Sequence, residues 1–106
     1  MIRILIADDH QIIIDGLTAL LHNEPEIDLV GYVKSGKQLL HEGLSLRPEI
    51  ILMDIGMPEM DGIAASRAVK ESHPEIKILV LTTYADPKSI REMLRAGVDG
   101  YLLKDS

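Results

Sequence analysis

The stretch EIILMDIGMPEMDG, residues 49–62, joins a continuous apolar run to an acid and then to a turn. The run from Ile50 to Met53 is typical of a short strand that helices cover on both faces. It is followed directly by Asp54, and the Gly-Met-Pro sequence at residues 56–58 predicts a turn just after this acid. We therefore predict a buried strand that holds a carboxylate at its carboxyl end, on a turn that leaves this carboxylate uncovered.

The rest of the chain alternates apolar runs with amphipathic stretches in the same way. The first amphipathic stretch places Ile13, Leu17, Leu20 and Leu21 on one face of a helix. The predicted strands span residues 2–7, 28–33, 50–53, 76–81 and 98–103, and the predicted helices span residues 10–22, 35–47, 62–73 and 87–97.

Strands that alternate with helices through short connections predict an α/β domain built on a parallel sheet. We predict a doubly wound, flavodoxin-like sheet of five strands in the order 2-1-3-4-5. Such a sheet is normally followed by one more helix, but the chain reaches Ser106 straight after the fifth strand. We therefore expect the sequence to stop before a final helix, with aliphatic surface left exposed that favours a homodimer or another partner contact.

Composition and charge restrict the class of protein. The 106 residues suit one domain, and a chain with three Tyr and no Phe or Trp must build its core from aliphatic residues. The absence of Cys excludes disulfides, and the net charge of -6 argues against direct binding of this segment to nucleic acid or an anionic membrane. Acids at Asp8 and Asp9 come too early for a signal peptide, and no apolar run approaches the ~20 residues that span a bilayer, so we expect a cytoplasmic protein.

Polar side chains that can act on a phosphoryl group follow four of the five predicted strands. Asp8 and Asp9 follow the first strand, and Asp54, Thr82 and Lys104 follow the third, fourth and fifth. Ligands of open α/β sheets bind at the carboxyl ends of the strands, and neighbouring strands lie ~4.8 Å apart, so Asp9 and Asp54 can share a hard cation such as Mg²⁺. Since Mg²⁺, Lys104 and Thr82 would all face a phosphoryl group at Asp54, we predict that Asp54 is a nucleophile that forms an aspartyl phosphate.

Each of these residues also has an ordinary structural role. Asp9 can cap the following helix, Asp54 can stabilise a turn, and Lys104 can be a solvated charge. The presence of Asp8 beside Asp9, and of all three acids at one edge of the predicted sheet, favours a functional site over these roles. The Asp61-Gly62 pair, in contrast, predicts a turn and the start of a helix.

Tyr101 and the four histidines give weaker signals. From its position alone, Tyr101 is an ordinary half-exposed packing residue of the fifth strand. The histidines lack the spacing of metal ligands and are interpreted as surface residues of helices. His10 directly follows the acids, so a role at the rim of the pocket stays open for it.

The order and spacing of four segments give a more specific pattern. These segments are LIADDH (5–10), ILMDIGMPEMDG (51–62), VLTTYAD (80–86) and GYLLKDS (100–106). Their order and spacing extend over the whole chain, which resembles a receiver domain of two-component response regulators. The HQIIIDGL segment (10–17) and the Lys-Asp pair at 104–105 make it similar to the NarL/FixJ (LuxR-type) family. The resemblance implies a CheY-like fold, with residues 1–106 forming a receiver domain that ends before its last helix and before any C-terminal DNA-binding domain.

The resemblance also implies a reaction and a metal site. A histidine kinase would transfer a phosphoryl group to Asp54 in a Mg²⁺-dependent reaction. The ion would be held by Asp9, Asp54 and the backbone carbonyl of Gly56, with Asp8 acting through water. Because Gly56 supplies no side chain at a position that often carries one in the family, the mouth of the pocket would be more open.

The same resemblance implies a switch. Thr82 would follow the phosphoryl group inward, Tyr101 would change rotamer with it, and residues 86–103 would be the bistable element that partners recognise. The domain would be a phosphoacceptor in signalling that assists its own phosphorylation and dephosphorylation, rather than an enzyme that turns over a metabolite. Its partners would be a sensor histidine kinase and a second copy of itself, and it would bind DNA and regulate transcription only through the absent C-terminal domain.

Three other functions are alternatives. An electron-transfer flavoprotein of this sheet order needs a phosphate-binding loop after the first strand, but Asp8 and Asp9 there would repel a flavin phosphate. A Mg²⁺-dependent phosphohydrolase often has a second acid two residues after its nucleophile, where this chain has Gly56. A receiver that binds partners without accepting phosphate would not need the intact acids together with Thr82 and Lys104.

Overall fold

The computed structural model describes residues 1–82 and 86–103. The strands are β1 (Ile2–Ala7), β2 (Ile27–Val33), β3 (Ile50–Asp54), β4 (Lys77–Thr82) and β5 (Gly100–Leu103). The helices are α1 (Gln11–His22), α2 (Gly36–His41), α3 (Gly62–Ser72) and α4 (Pro87–Ala96), and a short 3₁₀ turn spans Gly43–Leu46. The α/β class and the five predicted strands are confirmed. None of the helices in the described part of the chain is both long enough and apolar enough to cross a membrane.

The five strands form one parallel sheet in the order β2-β1-β3-β4-β5, which confirms the predicted flavodoxin-like, CheY-like topology. The order in which strands are added to the sheet reverses between β1 and β3, because β2 lies on one side of β1 and β3 on the other. At this reversal, Ala7 pairs with Met53. On the other side of β3, Asp54 pairs with Leu81 of β4. The carboxyl ends of β1, β3 and β4 therefore lie side by side, at the place where ligand sites form in sheets of this topology.

The core is aliphatic, as the composition predicts. The strands next to the reversal contribute side chains with no accessible surface, among them Leu5, Ile51, Met53 and Ile78. Complete burial of one such side chain stabilises a fold by about 1.5–3 kcal/mol. The three strands that carry the acids and Thr82 are thus held in place by the best-buried part of the molecule.

Two predictions about helices are wrong in part. The predicted helix over residues 35–47 is interrupted at Glu42, after which the chain forms the 3₁₀ turn. Gly43 allows this turn to approach the core, because a Cβ there would lie 2.9 Å from side-chain atoms of both Leu5 and Leu39. On α1, Ile14 is the buried residue, whereas Leu20, expected on the core face, is 69% exposed.

The ends of α3 and α4 follow their sequence signals. Asp61 caps α3 by accepting a hydrogen bond from the Ala64 amide at 2.9 Å, which confirms the predicted helix start. Asp86 caps α4 through the Ser89 amide at 3.1 Å, and Gly97 ends that helix with a φ of 92°, a conformation that favours glycine.

Candidate functional site

The acids predicted at the strand ends lie together at the carboxyl edge of the sheet. Asp54 is the last residue of β3, and Asp8 and Asp9 directly follow β1. One ligand atom from each of Asp8, Asp9, His10 and Asp54 lies within 4.8 Å of the others. We call these four residues the acid cluster. The neighbouring positions of β1 and β3 are the reason for the cluster, since both strands end at the same level of the sheet.

Asp8 is buried and serves as the anchor of the loop after β1. Its backbone amide donates to the Val33 carbonyl at 3.0 Å, which extends the β1–β2 pairing by one residue. Its Oδ1 accepts a hydrogen bond from the His10 amide at 2.9 Å and lies 2.8 Å from His10 Nδ1. This is an Asx-type turn, and it brings His10 close to the side chains of the acids.

His10 belongs to the acid cluster, although the sequence assigned it no more than a role at the rim. Its Nδ1 lies 3.2 Å from Asp9 Oδ1 and 3.7 Å from Asp54 Oδ2. The hydrogen bond with Asp8 raises the pKa of His10 above its ordinary value, and the charges of Asp9, Asp8 and Asp54 add to this effect, whereas burial opposes it. The sequence signal that could have placed His10 here is the turn-forming Asp two residues before it.

Asp9 does not cap α1, so the alternative structural role considered for it is wrong. The N-cap residue is His10, whose carbonyl accepts the Ile13 and Ile14 amides and whose side chain makes no capping hydrogen bond. Asp9 Oδ1 is buried and accepts no hydrogen bond from residues 1–82 and 86–103, although His10 Nδ1 lies 3.2 Å from it. A buried carboxylate oxygen in this state is suited to a cation, because buried polar atoms are nearly always paired.

Asp54 is more covered than predicted. Only 9% of its side chain is accessible, so the expectation that the turn after β3 leaves the carboxylate uncovered is wrong. The turn folds back on itself, with the Met57 and Gly62 amides both donating to the Ile55 carbonyl. A Cβ on Gly62 would collide with the Asp54 carbonyl oxygen, which shows how closely the end of the turn returns to the acid. Gly56, in contrast, is exposed and has open space around it.

The turn after β3 also packs against the start of α2, a contact that no local pattern in the sequence predicts. The Gly36 amide donates to the Met60 carbonyl at 3.1 Å, and the Lys37 amide donates to the Glu59 carbonyl at 3.0 Å. Glu59 and Met60 both have positive φ angles, 50° and 95°. A Cβ on Gly36 would collide with Met60, so glycine is required for this close approach.

The remaining predicted residues lie on β4 and β5 or beyond them. Thr82 ends β4 beside the acid cluster and is 1% exposed. Tyr101 lies on β5 opposite Val80 and is 39% exposed, in agreement with a half-exposed strand residue. Lys104 lies outside the described residues.

The chain is similar to known receivers in both sequence and structure. The family model described as the response regulator receiver domain matches residues 4–106. The response regulator protein VraR of Staphylococcus saprophyticus is 40% identical over 103 residues, covering 97% of this chain and 49% of VraR. The transcriptional regulatory protein LnrK of Bacillus subtilis is 40% identical over 105 residues, covering 99% of this chain and 48% of LnrK. The chain thus spans about half the length of these curated relatives.

Solved structures of receiver domains are also similar to this chain. The isolated REC domain of RcsB from Salmonella enterica serovar Typhimurium, in the presence of the phosphomimetic BeF3-, matches with a TM-score of 0.91 at 27% identity, covering 99% of this chain and 78% of that one. The signal receiver domain of the NarL regulator from Mycobacterium tuberculosis matches with a TM-score of 0.91 at 28% identity, covering 99% of this chain and 85% of that one.

Proposed function

This chain belongs to the response regulator receiver domain family of two-component systems, of the NarL/LuxR type, and we propose that its Asp54 accepts a phosphoryl group from a histidine kinase in a Mg²⁺-dependent reaction. The observation that carries this proposal is the convergence of Asp8, Asp9 and Asp54 on one point at the carboxyl edge of the sheet. In the reaction, an Asp54 carboxylate oxygen forms a bond to phosphorus. The bond from phosphorus to the kinase histidine nitrogen breaks, and the electron pair leaves with that nitrogen.

The acid cluster fits a magnesium ion. Mg²⁺ prefers oxygen ligands, takes one or two carboxylates and keeps several waters for exchange with phosphate oxygens. Asp9 and Asp54 would hold the ion with the backbone carbonyl of Gly56, and the buried Asp9 Oδ1, which accepts no hydrogen bond within residues 1–82 and 86–103, is an oxygen suited to it. Asp8, which is committed to the turn at His10, would act through water. The bound ion supplies positive charge to the phosphoryl oxygens and to the acids around them.

The neighbouring residues would then respond to the phosphoryl group. Phosphorylation adds about -1.5 to -2 charge to a site that already holds three acids. The Thr82 hydroxyl would donate a hydrogen bond to a phosphoryl oxygen, and Lys104 would offset part of the added charge. Tyr101, which is partly exposed on β5, would change rotamer as Thr82 moves and would alter the surface of α4 and β5. This is a signalling switch, and the domain would assist its own phosphorylation and dephosphorylation without turning over a metabolite.

The readout of the switch would lie in a longer protein. The curated relatives are about twice as long as this chain, and one structural relative is described as RcsB bound to the promoter rprA. We place residues 1–106 as the receiver of a transcription regulator that dimerises and binds DNA through a C-terminal domain. The cognate partner would be a sensor histidine kinase.

Intact mass spectrometry after incubation with acetyl phosphate tests the phosphoacceptor. We expect a gain of one phosphoryl group that requires Mg²⁺ and is absent from Asp54→Asn. Asp28→Asn is a matched control, because it makes the same chemical change on β2 at an exposed ion pair with Arg3. No gain with acetyl phosphate and none with a phosphorylated histidine kinase would overturn the proposal and favour a receiver that only binds partners.

A further inference from the structure

Among the described residues, a ring nitrogen of His10 lies where the three carboxylates of the acid cluster meet. His10 Nδ1 lies 2.8 Å from Asp8 Oδ1, 3.2 Å from Asp9 Oδ1 and 3.7 Å from Asp54 Oδ2. We infer that the His10 ring is a built-in occupant of the cation site, which a divalent cation must displace before it can bind. The inference rests on the cation site of the proposed function, and it adds a residue that sets the affinity of this site.

The ring and the ion compete for the same oxygen atoms. Mg²⁺ binds carboxylate oxygens at about 2.0–2.1 Å and keeps several waters around it. The ring nitrogen already lies close to an oxygen of each acid, and one of these contacts is a hydrogen bond. A hydrated cation and the ring therefore cannot both use the space between Asp9 and Asp54.

The way the ring is attached allows it to leave without disturbing the fold. The His10 backbone is fixed, since its amide donates to Asp8 Oδ1 and its carbonyl accepts the Ile13 and Ile14 amides. The side chain, in contrast, is 57% exposed. Within residues 1–82 and 86–103, the ring has no hydrogen bond except the one to Asp8. Rotation of the side chain can thus open the site while the start of α1 stays in place.

Displacement is favoured over direct coordination of magnesium by His10. Mg²⁺ selects oxygen ligands, and an imidazole nitrogen suits Zn²⁺ and other transition metals better. The Nδ1 atom of the ring is also already engaged in the hydrogen bond with Asp8. His10 thus acts as a positioning residue that occupies the space between the acids and weakens cation binding.

The energetic consequence follows from the fraction of molecules in which the site is open. If the ring occupies the site in most molecules, the apparent affinity for the ion falls in proportion to the open fraction. Replacement of His10 by Ala removes the occupant and costs no helix cap, because the His10 side chain makes no capping hydrogen bond. We expect His10→Ala to bind Mg²⁺ about three- to tenfold more tightly than the unmodified chain.

Isothermal titration calorimetry with MgCl₂, at one pH and one ionic strength, is the test. His22→Ala is the matched control, since His22 is an exposed residue at the other end of the same helix, and its affinity should not change. Nuclear magnetic resonance of the histidine rings gives a second readout. Added Mg²⁺ should move the His10 ring signals toward those of exposed His22, while Asp9→Asn should lose Mg²⁺ binding.

The possible results separate this inference from the proposed function. Tighter binding by His10→Ala, together with Mg²⁺-dependent movement of the His10 ring signals, supports the occupant. Equal affinity overturns the inference and leaves the magnesium site intact. Weaker binding by His10→Ala also overturns it, because the ring would then be a ligand. Absence of Mg²⁺ binding in both chains overturns the inference and the proposed cation site together.

Discussion

Lys70 Nζ lies 2.8 Å from Asp99 Oδ2 and joins the end of α3 to the turn before β5. The same Asp99 oxygen accepts the Ile78 amide at 2.8 Å, and Lys70 Nζ also donates to the Ile76 carbonyl at 2.6 Å. One ion pair thus ties together α3, the start of β4 and the approach to β5. It lies at the amino end of the strands, at the other edge of the sheet from the acid cluster.

This ion pair makes stability depend on pH. Burial of the Asp99 carboxyl tends to raise its pKa, but the hydrogen bonds from Lys70 and the Ile78 amide, with the charges of Lys70 and Lys77, outweigh this and lower the pKa of Asp99. A lowered folded-state pKa stabilises the fold above the unfolded-state pKa, and this stabilisation is lost as pH falls through the folded-state value. We expect Asp99→Asn to lower the free energy of unfolding by about 1 kcal/mol at neutral pH, after discounting for the partial exposure of the carboxyl.

Urea denaturation at a series of pH values checks this expectation. The difference between Asp99→Asn and the unmodified chain should shrink as pH falls below the ordinary range of aspartate. Asp28→Asn, which removes an exposed ion pair with Arg3, should have a smaller effect at neutral pH. A difference that stays constant down to acidic pH would show that the charge of Asp99 does not stabilise the fold.

Two glycine substitutions, one at the contact between α2 and the turn after β3 and one on α1, should have opposite effects on stability. Gly36→Ala should destabilise the fold by about 1–3 kcal/mol, because the added methyl group collides with Met60. Gly16→Ala makes the same change in α1, where a Cβ meets nothing within 4 Å, and should stabilise the fold by about 0.5–1 kcal/mol. Thermal and urea unfolding measure both effects. Equal free energies of unfolding for the two variants would contradict the close approach at Gly36.

Thr82 provides a test of the proposed response to phosphorylation. Thr82→Val keeps the shape of a buried side chain and removes its hydroxyl, so the rate of phosphoryl gain from acetyl phosphate should fall about tenfold or more. Thr18→Val removes a hydroxyl that donates to the Ile14 carbonyl on α1, and should leave this rate unchanged. Time-resolved intact mass measures both rates. An unchanged rate for Thr82→Val would mean that its hydroxyl does not contact the transferring group.

The exposed apolar residues of β5 give a prediction about self-association. Leu102 and Leu103 are 55% and 47% exposed, and exposed apolar patches promote association. If the proposed dimer uses this surface, Leu102→Ser should shift the protein toward monomer at high concentration, as measured by light scattering. Leu94→Ser changes a second exposed apolar residue, on α4, and is the comparison for Leu102→Ser. A monomer at all concentrations for the unmodified chain would contradict dimerisation of this domain alone.

The sheet could be predicted from the sequence because its signals are local. Continuous apolar runs such as residues 50–53 mark strands covered on both faces, and parallel order follows from alternation with helices. The positions of Asp54 and Thr82 at strand ends followed directly from these runs. The signals for the starts of α3 and α4, at Asp61 and Asp86, are equally local, since each capping side chain bonds an amide in the first turn of its own helix.

The parts that could not be predicted depend on contacts between distant segments. The interruption at Gly43 exists because this residue packs against Leu5 and Leu39. The return of the turn to Gly62 and the position of the His10 ring, which a hydrogen bond holds at Asp8, 3.7 Å from Asp54 Oδ2, both bring together residues that are separate in the sequence. Neither apolar periodicity nor residue spacing contains this information.

The close contact between Met60 and Gly36 also limits how parts of this domain can be exchanged with those of related proteins. The turn after β3 and the first residues of α2 are far apart in the sequence, yet two backbone hydrogen bonds and a missing side chain fit them to one another. A chimera that received only a foreign turn would keep its fit where position 36 remains glycine, and would lose it with any larger residue there. In recombination between related proteins, these two segments must therefore be exchanged together. A crossover point between them would lower the stability of the fold, and neither segment alone predicts this loss.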